Sequence, residues 1–281
     1  MGAIAEKVRD TLVRAGSTFD DDKKEAYKKA IEHETDERAK WVLQSVLKNA
    51  EVAQGTKGQL CDDTGIPHLL LEIGPRKTLS GEMLEEIYEG VRMGLRMLPG
   101  RPMAMRGDDI TRLEQSLGLY EDGAMVEPAP LLLFRVPEDV LRLTVILQGG
   151  GPEIRAKTYR VFHRHSADAV RDEIADWAKA EVGNLGCTPC TLAVGIGRSH
   201  YEASALMLQA MAKRSFGQMS KLEQYITDRV NETQVGALGL GGRTTVLATF
   251  VNIGPQRASG VRIVCMRPCC CFEPRKASVE L

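Results

Sequence analysis

No uncharged apolar run in this 281-residue chain approaches the roughly 20 residues that cross a bilayer, which argues against a membrane partner. An excess of charge of one sign is also missing. The formal net charge is −1 and is spread along the chain, whereas a nucleic-acid polymer usually demands a basic face. An export signal is missing too, because MGAIAEKVRDTLVRAG carries charges at regular intervals. Glu6 stands where a myristoylation signal wants Ser or Thr. Neither an internal repeat nor a low-complexity linker is present. The seven cysteines lack the regular spacing, and the chain lacks the shortness, of a secreted disulfide scaffold. These absences predict a soluble cytoplasmic protein.

What is present fits a globular enzyme. Apolar residues at 43% and charged residues at 27% are ordinary proportions, and the length can bury a real core. Ile4, Val8 and Leu12 recur every four residues, with Gly16 as a stop. A charged helix is expected over about 19–33 and another from Asp36, with Trp41, Val42, Val46 and Leu47 as its apolar stripe. Ser80 caps a further helix whose face is Met83, Ile87, Val91 and Leu95, ended by Pro99-Gly100. Strands are expected at Leu69–Ile73, Leu131–Val136, Leu141–Leu147, Thr191–Ile196, Thr244–Ile253 and Val261–Met266. Helices are expected from Ser166 to about Val182, at Tyr201–Lys213 and at Lys221–Asn231, with Val170, Ile174 and Trp177 facing inward in the first. Without strict βαβ alternation, this predicts an α+β (mixed α/β) fold. A helical N-terminal third (about 1–55) is followed by a mixed sheet with packed helices, in a single domain over 1–281.

The cysteines carry the chemistry. Three segments each join a thiol to backbone-permissive residues: Cys61-Asp62-Asp63-Thr64-Gly65, Gly186-Cys187-Thr188-Pro189-Cys190, and Cys269-Cys270-Cys271-Phe272-Glu273-Pro274-Arg275. Free cysteine often packs as a small apolar residue, and Cys190 and Cys265 are open to that reading. Side chains of an adjacent triplet are not expected all to face one core. Ligands scattered this widely suit a site assembled by the tertiary fold, unlike the local run of ferredoxins, and zinc and an iron–sulfur cluster are equal candidates on spacing alone. Asp63 reads either as a functional carboxylate or as a turn cap before Gly65.

The chain resembles the alpha subunit, or N-terminal domain, of the class I fumarase and L-tartrate dehydratase family, from about residue 20 to 277. The family's Cys-Gln-Asp-Thr-Gly looks like Cys61–Gly65. Its Cys-Pro-Pro and Gly-Val-Gly-Ile-Gly strand end look like Cys187-Thr188-Pro189 and Ala193–Gly197. Its Gly-Leu-Gly-Gly-Lys-Thr-Thr looks like Gly239–Thr245, and its last ligand, four residues before a basic pair, falls on Cys271. The resemblance implies a 4Fe-4S cluster held by Cys61, Cys187 and Cys271, with one iron open to substrate. It implies reversible hydration of a small (di)carboxylic acid such as fumarate or tartrate. Asp63, with Asp62 beside it, would be the catalytic base or base-orienting group. Arg101 would clamp a substrate carboxylate, with Gln148, Gly149, Gly150, Gly151 and Gln256 lining the substrate site. Members built from two subunits imply a beta-type partner, and a homo-oligomer is expected.

Several positions depart from the family pattern. Asp62 replaces a carboxamide, Gln148 a lysine, Pro152 a serine, Ile154 an asparagine and Gln256 a histidine. The charge-changing ones share one sign, each weakening the hold on a dicarboxylate dianion. With the extra thiols, they keep two alternatives open: sulfur or thiol chemistry at the open iron, or a non-catalytic cluster closed by Cys270 or Cys190. The histidines His33, His68, His163, His165 and His200 form no metal-spaced set.

Overall fold

The computed structural model describes residues 2–98 and 100–281. In chain order they form α1 (Ala3–Ser17), α2 (Asp21–His33), α3 (Glu37–Thr56), β1 (Ile66–Ile73), α4 (Gly81–Met97), α5 (Asp109–Glu114), β2 (Leu132–Arg135), β3 (Leu141–Gln148), α6 (Gly150–Glu153), β4 (Lys157–Phe162), α7 (Ala167–Leu185), β5 (Cys190–Gly197), α8 (His200–Lys213), α9 (Lys221–Asn231), β6 (Val246–Ile253), β7 (Val261–Cys269) and β8 (Arg275–Glu280). Helices come first and mixed sheets follow, which is the α+β class expected. The chain divides into two compact units. One runs to Thr18 and takes up Ala50–Gly150 and Arg275–Leu281; the other comprises Phe19–Asn49 and Gly151–Pro274.

The first unit is a four-stranded sheet in the order β2-β1-β3-β8, with β1 and β2 parallel and the other pairs antiparallel. Its core joins Leu69, Leu71, Leu143, Val145 and Leu147 of the sheet to Val8 and Leu12 of α1 and Ile87, Val91 and Leu95 of α4. The Ser80 hydroxyl accepts from the Met83 N–H and so starts α4 where the capping signal places it. α4 and α1 approach closely because Gly90 and Gly94 lack side chains: a Cβ at Gly90 would stand 2.5 Å from the Ala5 carbonyl oxygen, and one at Gly94 2.9 Å from the Leu12 Cβ. α4 ends at Met97; Pro99 of the expected stop lies outside the described residues.

The second unit is a four-stranded sheet in the order β4-β7-β5-β6, with β5 and β6 parallel. Strand alternation sends Leu192, Val194 and Ile196 toward Ile174, Ala178 and Val182 of α7 and Ile226 and Val230 of α9. It sends Gly195 to the other face, where its bare Cα meets the backbone of α8 at Ala203 and Met207. β5 is therefore buried along its whole length, as a strand covered on both faces must be.

Three expectations change. Trp41 is 67% exposed, because the inward stripe of α3 runs through Ala39, Val42, Leu43 and Val46 instead. α5, α6, β4 and β8 were not anticipated. β7 continues to Cys269 and carries the first thiol of the triplet into the sheet. Among the described residues no helix is long and apolar enough to cross a membrane.

Candidate active site

In the first unit, the loop before β1 presents Cys61, Asp62 and Asp63. The Gln59 amide spans it, its nitrogen 2.7 Å from the Cys61 carbonyl oxygen and its oxygen 3.2 Å from the Gly100 N–H. Thr64 donates its hydroxyl to the Arg101 carbonyl at 3.1 Å. Asp63, whose side chain is 16% exposed, accepts from the Gly65 N–H at 3.2 Å and from the Gly150 N–H at 2.9 Å. The turn-cap and functional-carboxylate readings of Asp63 are thus compatible: one oxygen caps the turn and the other meets the glycine loop after β3. Arg101 is exposed and lies 3.9 Å from Asp63 and 4.0 Å from Asp62, loosely enough to turn toward another carboxylate.

Gly65 has φ +81°, and a Cβ there would fall 2.5 Å from the Arg275 guanidinium and 3.0 Å from the Gln148 backbone. Only glycine allows that packing. Arg275 is buried, and its guanidinium donates to the Asp63 carbonyl oxygen. The first unit therefore gathers Asp63, Arg101, Gln148 and Gly150 around one loop. An added Cβ at Gly150 or Gly151 meets nothing within 4 Å, so open space lies beside each.

In the second unit, the Cys271 N–H donates to the Cys187 carbonyl at 2.9 Å, which brings these two thiol-bearing segments together at the start of β5. Thr188 adds the Gly-Leu-Gly segment: its carbonyl accepts from the Leu238 N–H at 3.0 Å and its hydroxyl from the Gly239 N–H at 3.3 Å. None of the seven cysteines is in a disulfide. Contrary to expectation, the whole triplet is buried. Past the end of β7 the chain turns, and turn residues need not alternate faces as strand residues do.

Burial pushes the Cys190 thiol up, and the Cys269 thiol up to about 12. Both therefore keep their protons and pack as neutral groups. The Cys271 thiol is also pushed up, first by its hydrogen bond with Cys270 and then by burial, while Lys23 pulls it down. Buried polar groups that the sequence did not flag line this region. Tyr27 donates its hydroxyl to the Cys271 carbonyl at 2.8 Å, and Lys23 donates its ammonium to the Glu273 carbonyl at 2.8 Å. Arg267 donates to the Cys269 sulfur at 3.3 Å, pairs with the buried Glu273 carboxylate, and reaches Glu153 at 3.0 Å. Burial pulls the Lys23 amine down to about 8. The available signal was the spacing of Lys23, Tyr27 and Ala30, which form the buried stripe of an otherwise charged α2.

A profile of the fumarate hydratase (Fumerase) family matches residues 5–280. The chain belongs to this family. The match sets it among the hydro-lyases, and the resemblance to the class I fumarase and L-tartrate dehydratase family stands. Named relatives are distant. A provisionally named L(+)-tartrate dehydratase subunit alpha of Methanocaldococcus jannaschii is 25% identical, over 98% of this chain and 96% of its own. The L(+)-tartrate dehydratase subunit alpha of Escherichia coli K12 is 20% identical, over 95% and 87%. A provisionally named class I fumarate hydratase of Geobacillus stearothermophilus is 23% identical, over 90% of this chain and 50% of its own.

Within this fumarase-family chain, one predicted substrate residue is set apart. The Gln256 amide donates to the carbonyls of Ile196, at 3.2 Å, and Gly254, at 3.0 Å, at the far end of β5. Six residues of strand separate Cys190 from Ile196, about 20 Å at the usual rise. Gln256 therefore does not join Cys187 and Cys271. It lines a separate cavity of about 410 Å³ with Ile174, Ile196, Leu222 and Ile253. Among the described residues, no group of three or more His, Cys, Asp or Glu side chains is gathered as a metal site. The ligand set therefore rests on the motifs and on the contacts within each unit.

Proposed function

We propose that this chain is the cluster-bearing alpha subunit of a hydro-lyase that reversibly hydrates a small unsaturated (di)carboxylic acid. The observation that carries the reading is Asp63, a carboxylate fixed by two backbone N–H donors beside a guanidinium that is free to turn. Cys61, Cys187 and Cys271 would hold the 4Fe-4S cluster. The second unit suits that role: Cys187 and Cys271 are unbridged and adjacent, and a buried cation faces their loop, which favours an anionic group there. When bound, the cluster would supply a Lewis-acidic iron for a carboxylate and a hydroxyl oxygen.

The chain's own residues do the rest. Arg101 turns from its loose contact with Asp62 and Asp63 and grips a substrate carboxylate through two parallel hydrogen bonds. Asp63 takes the proton α to that carboxylate in dehydration and returns it in hydration. Its hydrogen bonds from the Gly65 and Gly150 N–H groups hold the carboxylate in place. The open space beside Gly150 and Gly151 lets the substrate approach the backbone. Gln148 stands where the family pattern has a lysine, so binding leans more heavily on Arg101. Burial of the Cys190 and Cys269 thiols, which pushes both up, favours hydration over thiol transfer. Relatives named as alpha subunits support a beta-type partner that completes the enzyme.

The test is anaerobic co-expression with a beta-type subunit, followed by assay on fumarate and L-tartrate. Turnover of either is expected, and Asp63→Asn should cut kcat by about 10²–10³ without loss of iron. Full activity in Asp63→Asn would remove the base from this account.

A further inference from the structure

The thiol-bearing turn of the second unit contains a buried cation that forms no direct ion pair. Arg267 pairs with the carboxylates of Glu273 and Glu153. Lys23 has no such contact. Its side chain is buried, with 1% exposed, and its ammonium donates to a backbone carbonyl, that of Glu273. It also lies 4.2 Å from the centroid of the Phe19 ring and 5.8 Å from that of Phe216. Among the described residues no carboxylate stands within ion-pair distance of it; the Glu273 carboxylate, which acts on its charge from further off, pairs directly with Arg267. A buried ammonium without a counter-ion is costly, and carbonyl and ring contacts offset that cost only in part. The groups whose charge acts on it are the thiols of Cys270 and Cys271, the Glu273 carboxylate and the thiol of Cys269.

The same helix fixes the turn mechanically. Lys23 and Tyr27 lie one helical turn apart on α2, and they grip the carbonyls of Glu273 and Cys271 respectively. The Cys271 N–H is in turn bound to the Cys187 carbonyl. α2 therefore holds both ends of the Cys271–Glu273 turn, and that turn holds the Cys187 segment.

We propose that Lys23 is a positioning residue for the iron–sulfur cluster, a buried cation whose counter-ion is the anionic cluster held through Cys271. The proposal rests on the cluster reading above. It follows that Lys23 strengthens cluster retention and raises the cluster's reduction potential, because a nearby positive charge favours the more negative oxidation state.

The test uses the full chain, reconstituted anaerobically with ferrous iron and sulfide, as wild type, Lys23→Gln and Lys23→Met. Two quantities are read: the rate of iron loss to a chelator, and the midpoint potential from an EPR-monitored redox titration. Gln keeps a donor for the Glu273 carbonyl and removes the charge, whereas Met removes both. If charge is what matters, both variants lose iron about tenfold faster than wild type, and both are reduced at a lower potential. Wild-type behaviour of Lys23→Gln on both measures would overturn the proposal and leave Lys23 a hydrogen-bonding role. Should Lys23→Met fail to fold, Lys23→Gln decides alone. If wild type itself takes up no iron and sulfide, the cluster reading fails and this proposal falls with it. That outcome is distinct from a loaded wild type whose variants behave identically.

Discussion

The two units treat charge in opposite ways. Around Asp63 the first unit is polar and open: Arg101 and Asp62 are exposed, and the carboxylate is fixed by backbone N–H groups. Around the cysteine triplet the second unit is closed. Thiols, an ammonium and a guanidinium–carboxylate pair lie buried together, tied by hydrogen bonds to backbone carbonyls. A site that exchanges a small acid with solvent needs side chains that can turn and be wetted. A site that keeps an inorganic group needs thiols in a fixed turn and charges that are expensive to expose. On the proposed reading labour is divided, with binding and proton transfer in the first unit and two of the three cluster ligands in the second.

That division can be broken by experiment. The largest expected effect is from Cys271→Ala, which should abolish cluster loading, read as iron and sulfide per chain after anaerobic reconstitution. Asp63→Asn is next: about 10²–10³ lost in kcat with iron content unchanged. If Asp63→Asn also emptied the cluster, the division would fail. Arg101→Lys keeps the charge and loses the fork, so KM should rise about tenfold with a smaller change in kcat. Gly65→Ala should destabilise the protein by about 1–3 kcal/mol, read by chemical denaturation, since it demands φ +81° of an L-residue and displaces Arg275. The smallest effect is from Cys190→Ala, a buried neutral thiol. It should leave the cluster and turnover intact and cost about 1 kcal/mol.

How legible this was in the sequence depended on the residue. α4 could be read because its cap and its apolar spacing agree, and the structure keeps both. Trp41 misled because hydrophobicity alone cannot say which side of a helix the core takes, and the stripe of α3 passes it by. β4 and β8, as KTYRVF and RKASVE, carry charges at edge positions, so their alternation is masked. Asp63 and Arg101 were named from motifs, and the structure sets them side by side. Gln256 was named from alignment to a histidine, and the length of β5 separates it from Cys187 and Cys271. Lys23 was hidden in a run of charged residues, where its helical spacing from Tyr27 and Ala30 was the one signal that it faces inward.

The central claim is that Cys61, Cys187 and Cys271 hold the cluster while the neighbouring thiols do not. It is tested most directly by iron and sulfide analysis with EPR of the anaerobically reconstituted full chain, carrying Ala in turn at Cys61, Cys187, Cys271 and Cys269. About four irons and four sulfides per chain are expected for wild type and Cys269→Ala, with loss in the other three. Full loading in any of those three variants, or loss in Cys269→Ala alone, would contradict the account.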